Sequence, residues 1–126
     1  MKIVNHWLLQ AVRCRSPNQD ERPAGTVIDS IVIHNISLPP GEFGGSYISA
    51  LFCNRLDNSA HPYFEEIAHL QVSAHLLIDR NGVCTQYVGF DQRAWHAGQS
   101  SYNGRQRFND FSIGICLLYT SDAADE

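Results

Sequence analysis

Six histidines and two tryptophans in 126 residues decide what chemistry this chain can attempt. A neutral imidazole can bind zinc, pass a proton near neutral pH, or settle into a core as a hydrogen-bonded pair of nitrogens. His34 closes the apolar run Ile31-Val32-Ile33, and strand ends are where α/β folds place their chemistry. Taken as an isolated residue, a capped or solvent-facing imidazole is the simpler reading of it. His75 lies inside an apolar run, where alternation groups it with Leu77 and Asp79, and an interior hydrogen-bonded histidine is expected there. His69 and His75 lack the His-Glu-x-x-His spacing of a helical zinc site, and His61 and His6 read as structural or exposed.

The tetrapeptide Trp95-His96-Ala97-Gly98 combines an aromatic platform with an imidazole in a loop. It can stack on a sugar or peptide, or it can pin a loop to the body through the indole, and composition leaves both readings open. Glu65 and Glu66 are adjacent, so on a helix they do not face one another, and they read as a solvated surface. The chain has no Gly-x-Ser-x-Gly, P-loop or Gly-x-Gly-x-x-Gly pattern, which removes the serine-hydrolase elbow and nucleotide readings. Its four cysteines (Cys14, Cys53, Cys84 and Cys116) are widely spaced and read as free packing thiols.

The elements that must position these groups follow from periodicity. Residues 14–25 hold two prolines and a glycine in a polar run and predict a loop. Residues 26–34 end in a β-branched run and predict a strand, and Pro39-Pro40-Gly41 with Gly44-Gly45 predicts the loop after it. Ser46 is placed to cap a helix reaching about Asp57, because Tyr47, Ile48, Leu51, Phe52 and Leu56 share one side at helical spacing. Residues 62–70 predict one or two helical turns. Residues 72–79 and 83–88 predict two strands joined by the Asp79-Arg80-Asn81-Gly82 turn. Residues 90–109 predict a long ordered loop carrying Trp95, His96, Tyr102 and Phe108, and residues 111–118 the last strand.

Composition sets outer bounds. The length suits one domain. The nine basic residues, eight of them Arg, are dispersed and make neither a nucleic-acid stripe nor a polybasic membrane patch. No apolar run approaches the ~18 residues of a membrane span, and the first thirteen residues lack signal-peptide features, so a cytoplasmic protein is expected. The net charge of −4 is uneven: residues 1–115 hold nine basic and ten acidic groups, whereas Asp122, Asp125 and Glu126 crowd the end.

Several motifs in order carry a resemblance. Val32-Ile33-His34-Asn35-Ile36-Ser37-Leu38-Pro39-Pro40-Gly41-Glu42-Phe43-Gly44-Gly45, His61-Pro62-Tyr63-Phe64, Val72-Ser73-Ala74-His75, Arg93-Ala94-Trp95-His96-Ala97-Gly98 and Asn109-Asp110-Phe111-Ser112-Ile113-Gly114-Ile115 closely resemble AmpD-type N-acetylmuramoyl-L-alanine amidases. The match runs from about Trp7 to Ile115. The resemblance implies an α/β fold: a mixed β-sheet packed by helices, shared with peptidoglycan-recognition proteins. It implies a cytoplasmic enzyme that hydrolyses the lactyl–L-alanine amide of 1,6-anhydro-muropeptides with Zn2+. It makes His34 the first zinc ligand, reversing the simpler reading above. It places Asn35, Trp95 and His96 along the substrate pocket, with Trp95 a wall for the anhydro sugar. Arg107 becomes a contact for the peptide's acidic end, where a guanidinium suits a carboxylate. Gln71 stands where close relatives often carry a second Arg.

The pattern breaks after Ile115. The family continues with a catalytic Glu and Leu-Glu-Gly, then a Lys and two further zinc ligands, whereas this chain reads Cys116-Leu117-Leu118-Tyr119-Thr120-Ser121 and onward to Glu126. Residues 1–115 are therefore expected to be the N-terminal part of one amidase domain, incomplete at its C-terminus. Residues 116–126 are expected to be a tail foreign to the family, of the kind that adapter read-through leaves. Cys116 takes the place of the catalytic Glu and reads as a thiol without a role. A chain with one zinc ligand is expected to be inactive, since catalytic zinc takes three protein ligands. A non-catalytic muropeptide-binding module is the alternative.

Overall fold

The computed structural model describes residues 2–36, 47–57, 59, 61–98, 101–102 and 104–118. In chain order the strands are β1 (Ile3–Val4), β2 (Trp7–Leu8), β3 (Val12–Arg13), β4 (Gln19–Glu21) and β5 (Ser30–Ile36). Helices α1 (Tyr47–Phe52) and α2 (Phe64–Ile67) follow. The chain then returns to strands: β6 (Leu76–Ile78), β7 (Cys84–Gln86), β8 (Gln92–Ala94), β9 (Ser101–Tyr102), β10 (Arg105–Gln106) and β11 (Ser112–Leu118).

The main sheet runs β3-β7-β6-β11-β5. It is mixed: β5, β11 and β6 are parallel, β7 is antiparallel to β6, and β3 is parallel to β7. This is the mixed sheet packed by helices that the sequence leads one to expect. The β6–β7 connection is the expected hairpin. Gly82 takes φ +83°, and the Asp79 carboxylate accepts the backbone N–H groups of Asn81 and Val83, both at 2.9 Å.

Helix α1 is shorter than its apolar spacing suggests, and the reason is its C-cap. Asn54 adopts a left-handed conformation, φ +60°, while Arg55 N–H donates to Ala50 C=O and Asn54 N–H to Leu51 C=O. That pair of bonds is a Schellman cap, which stops the helix before Leu56 can join it. The Asn54 side chain is held by reciprocal 2.9 Å amide bonds with Asn18. The expected N-cap, Ser46, lies outside the described residues. Within residues 62–70, Phe64–Ile67 form the single turn α2.

Ile48, Leu51 and Phe52 of α1 and Phe64 of α2 pack onto Ala74, Leu77, Tyr87, Val88, Ala94, Cys116 and Leu118. Alternation along β11 explains the face chosen: Ser112, Gly114, Cys116 and Leu118 are buried, and Ile113, Ile115 and Leu117 are half-buried. On neighbouring β5, His34 and Ile36 share the inner face, while Ile31 and Ile33 are 64% and 54% exposed on the other. The register continues past residue 115, with Cys116 opposite His34, Leu117 opposite Asn35 and Leu118 opposite Ile36. The strand therefore does not end where the family-like sequence ends. The rest of the expected tail, residues 119–126, lies outside the described residues.

Candidate active site

β5 delivers His34 to the inner face of the sheet edge, and the segment after β8 brings His96 onto it. His34 Nε2 lies 3.0 Å from His96 Nδ1, with the two rings edge-on. His96 Nε2 in turn lies 3.2 Å from Ser112 Oγ. The His96 ring rests on Gly114 so closely that a Cβ there would come within 2.6 Å of it. Glycine is required at that position by the ring and not by backbone conformation. Burial holds the His34 imidazole below its ordinary pKa, and burial followed by the neighbouring His34, His75 and Arg22 holds His96 down to about 3. Both rings are neutral at pH 7.

His75 is the hydrogen-bonded interior histidine expected. It is fully buried, its Nδ1 accepts the Gly114 N–H at 3.1 Å, and its Nε2 donates to Gln92 C=O at 2.9 Å. Both nitrogens are committed, so it has no lone pair to offer a metal. His61 Nδ1 accepts the Tyr63 N–H, and His69 and His6 are exposed.

Three anchors fix the segment bearing Trp95 and His96. Ser73 and Trp95 are bonded twice, with Ser73 N–H donating to Trp95 C=O at 2.9 Å and Trp95 N–H to the Ser73 hydroxyl Oγ at 3.1 Å. Asn109 Oδ1 accepts the N–H groups of His96 and Ala97, at 3.1 and 2.8 Å. Arg93 makes 2.6 Å ion pairs with Asp20 and Asp110. The segment is thus pinned at Trp95 through its backbone, by Ser73.

The remaining candidates are spread. Asn35 follows His34 on β5 and, by alternation, occupies the opposite, exposed face. Arg107 is exposed and left-handed, φ +60°, just before the short 3-10 turn Phe108–Asp110 that leads into β11. Cys116 stands opposite His34 in the register but belongs to the core. It is 4% exposed, and burial pushes its thiol up to about 12, so it is no nucleophile. A depression of about 360 Å³ lined by Ile78, Asp79, Arg80, Leu117 and Leu118 lies over the carboxyl ends of β6 and β11, away from the histidines.

The donor set decides how far zinc fits. His34 supplies one imidazole, and the described residues contain no group of three metal-ligating side chains. They do not make a complete zinc site by themselves.

The sequence profile described as N-acetylmuramoyl-L-alanine amidase matches residues 24–125. The chain belongs to the N-acetylmuramoyl-L-alanine amidase family. Its similarity to solved members is close: it superposes on the crystal structure of a selenomethionine AmpD derivative with a TM-score of 0.93 and 59% identity, covering 95% of this chain and 67% of that one. The solution structure of Citrobacter freundii AmpD gives a TM-score of 0.63 at 58% identity, covering 98% of this chain and 65% of that one. Among curated relatives, the 1,6-anhydro-N-acetylmuramyl-L-alanine amidase AmpD of Salmonella typhimurium is 59% identical over 94% of this chain and 63% of its own length. That of Escherichia coli is 57% identical over 98% of this chain and 68% of its own length. The chain thus spans about two-thirds of the length of the family members it matches.

Sequence reasoning quoted Ser112 and Gly114 within a family motif but assigned them no role, and it missed Arg22 as a clamp. Arg22 donates to the carbonyls of Phe90, Asn109, Asp110 and Ser112. The signal available for Ser112 and Gly114 was the small pair, two residues apart, in a strand of otherwise large apolar residues.

Proposed function

We propose that this chain carries the first zinc ligand and the substrate-facing loops of a zinc-dependent amidase that hydrolyses the lactyl–L-alanine amide of 1,6-anhydro-muropeptides during cytoplasmic recycling of peptidoglycan. The observation that carries the reading is the close superposition on AmpD at 59% identity, in a chain whose His34 sits neutral and half-buried at the sheet edge. The site residues in this reading are His34 as metal ligand and Asn35, Trp95, His96 and Arg107 as substrate contacts, His96 through its ring alone, because His34 and Ser112 hold both of its nitrogens. Bound zinc would supply an activated water and a polarised amide carbonyl. The chain's own residues supply the rest. The Asp20–Arg93–Asp110 ion pairs and Asn109 hold the Trp95-His96 segment against the sheet, and a neutral His96 fixes the orientation of His34. Arg107 offers a guanidinium to a stem-peptide carboxylate.

Residues 1–115 are the family-like part in this reading, and the Glu that the family carries next is replaced by Cys116. The test is a fusion of residues 1–115 to the remaining C-terminal part of the Escherichia coli relative. We expect it to release peptide from 1,6-anhydro-N-acetylmuramyl-L-alanyl-peptide, followed by liquid chromatography and mass spectrometry. His34→Ala should remove bound zinc and turnover together, and turnover retained by that variant refutes the assignment.

One observation favours a second reading for the 126-residue chain alone. Catalytic zinc takes three protein ligands and the described residues hold no such group, so in this second reading the chain is a module that binds a muropeptide without cutting it. Calorimetric binding of the anhydro-muropeptide without hydrolysis supports this reading, and hydrolysis by the unextended chain overturns it.

A further inference from the structure

We propose that Ser112 and His96 are positioning residues that lock His34 in a single neutral tautomer, with its proton on Nε2 and its lone pair on Nδ1. The argument starts at a carbonyl, which has no proton to give. Ser112 Oγ lies 2.5 Å from Phe108 C=O, so the one hydroxyl proton of Ser112 must lie between them. Ser112 Oγ is then an acceptor toward His96 Nε2 at 3.2 Å, and His96 must carry its proton on Nε2. A neutral imidazole with Nε2–H has its lone pair on Nδ1. His34 Nε2, 3.0 Å from that Nδ1, must therefore be the donor. Each link has one solution once the one before it is set.

The opposite order fails at its far end. If His96 held its proton on Nδ1, its Nε2 would need the Ser112 hydroxyl proton. Ser112 Oγ and Phe108 C=O would then face each other at 2.5 Å as two acceptors. A doubly protonated ring would avoid that clash, but at pH 7.5, a full unit above the ordinary imidazole pKa of ~6.5, each ring carries one ring proton. Gly114 completes the device, because any side chain there would displace the His96 ring that links the two ends. Partners of this kind, which fix the tautomer and orientation of a functional histidine, commonly change its affinity for a bound cation by ~10–100-fold. The lone pair on Nδ1 is what His34 can offer to a proton or to a divalent cation.

The relay is a property of the folded chain. Its use toward zinc rests on the amidase reading, but failure of the fusion to turn over would leave the signature below unchanged, so the two can fail separately. The experiment is two-bond nitrogen-15 correlation spectroscopy of the histidine rings in the metal-free 126-residue chain at pH 7.5. We expect His34 and His96 each to show a pyrrole-type Nε2 and a pyridine-type Nδ1. Ser112→Ala should collapse this separation toward the average of two tautomers in both rings, and Ser112→Thr, which keeps the hydroxyl, should retain it. Gly114→Ala, which acts on the ring and not on the hydroxyl, should collapse it for His34. A protonated Nδ1 on His34 in the unmodified chain overturns the proposal, and so does an unchanged separation in a folded Ser112→Ala.

Discussion

His75 makes acid stability a measurable consequence of the fold. In an unfolded chain its imidazole titrates near 6.5. In the folded chain burial is the largest cause holding it at about 4, with the Arg22 charge acting in the same direction and the Gln92 carbonyl and Asp91 opposing. The folded value is the lower one, so the unfolded chain takes up the proton first as pH falls. Stability is therefore complete above about pH 6.5 and is lost progressively toward pH 4. A separation from 6.5 to about 4, at ~1.4 kcal/mol per pH unit, amounts to about 3 kcal/mol for this one proton. The assay is urea unfolding at half-unit steps from pH 7.5 to 4.5, compared with His75→Gln. Other groups titrate in this range, so the informative quantity is the difference between the two slopes. The unmodified chain should lose up to ~1.4 kcal/mol more per pH unit than the variant between pH 6 and 4.5. Equal slopes would refute the claim that His75 is buried and neutral, whatever the variant's stability at pH 7.

Arg22→Lys should cost about 2–4 kcal/mol in urea unfolding, because one ammonium cannot span four carbonyls that a guanidinium reaches at 3.0–3.3 Å; a change below ~0.5 kcal/mol would show that the clamp is idle. Phe64→Ala should cost about 3–5 kcal/mol, since Phe64 is fully buried between α1 and the sheet, whereas Ile33→Thr should stay within ~1 kcal/mol because Ile33 is mostly exposed; a reversed order in chemical denaturation would contradict the packing described. Cys116 should react with iodoacetamide at pH 8 on the order of 100-fold more slowly than Cys14, Cys53 or Cys84, read by peptide mass mapping, and comparable labelling would mean that its strand is not in the core.

The parts of this molecule that sequence made legible are those governed by local periodicity. The β-branched run 31–33 became β5, and Asp79-Arg80-Asn81-Gly82 became the β6–β7 turn. The interior, hydrogen-bonded state expected of His75 is found, but not by alternation: His75 precedes β6, and residues 73–77 are buried on both faces. Helix α1 was legible in type but not in length. Its end is set by Asn54 taking a left-handed conformation and bonding to Asn18, thirty-six residues earlier, and no window of sequence contains both partners.

The segment 90–109, expected as one long loop, contains β8, β9 and β10 and runs into the 3-10 turn Phe108–Asp110. Its order comes from partners far away in sequence. Arg22 reaches Asn109 and Asp110 across 87 and 88 positions, and Asp20 reaches Arg93 across 73. The same reason explains the division within the candidate site. His34 is singled out by resemblance, against the simpler reading of an isolated histidine at a strand end, and both signals are local. Ser112 and Gly114 act on it only through His96, which arrives from a third segment. A serine and a glycine two residues apart in an apolar strand look like small packing residues until the ring above them is in place. At that point one hydroxyl proton, given to Phe108 C=O, determines where the proton of His34 must sit. The residues that do the chemistry of such a site are visible in composition, whereas those that set its protonation pattern become visible only through the sheet register that brings β5 and β11 side by side.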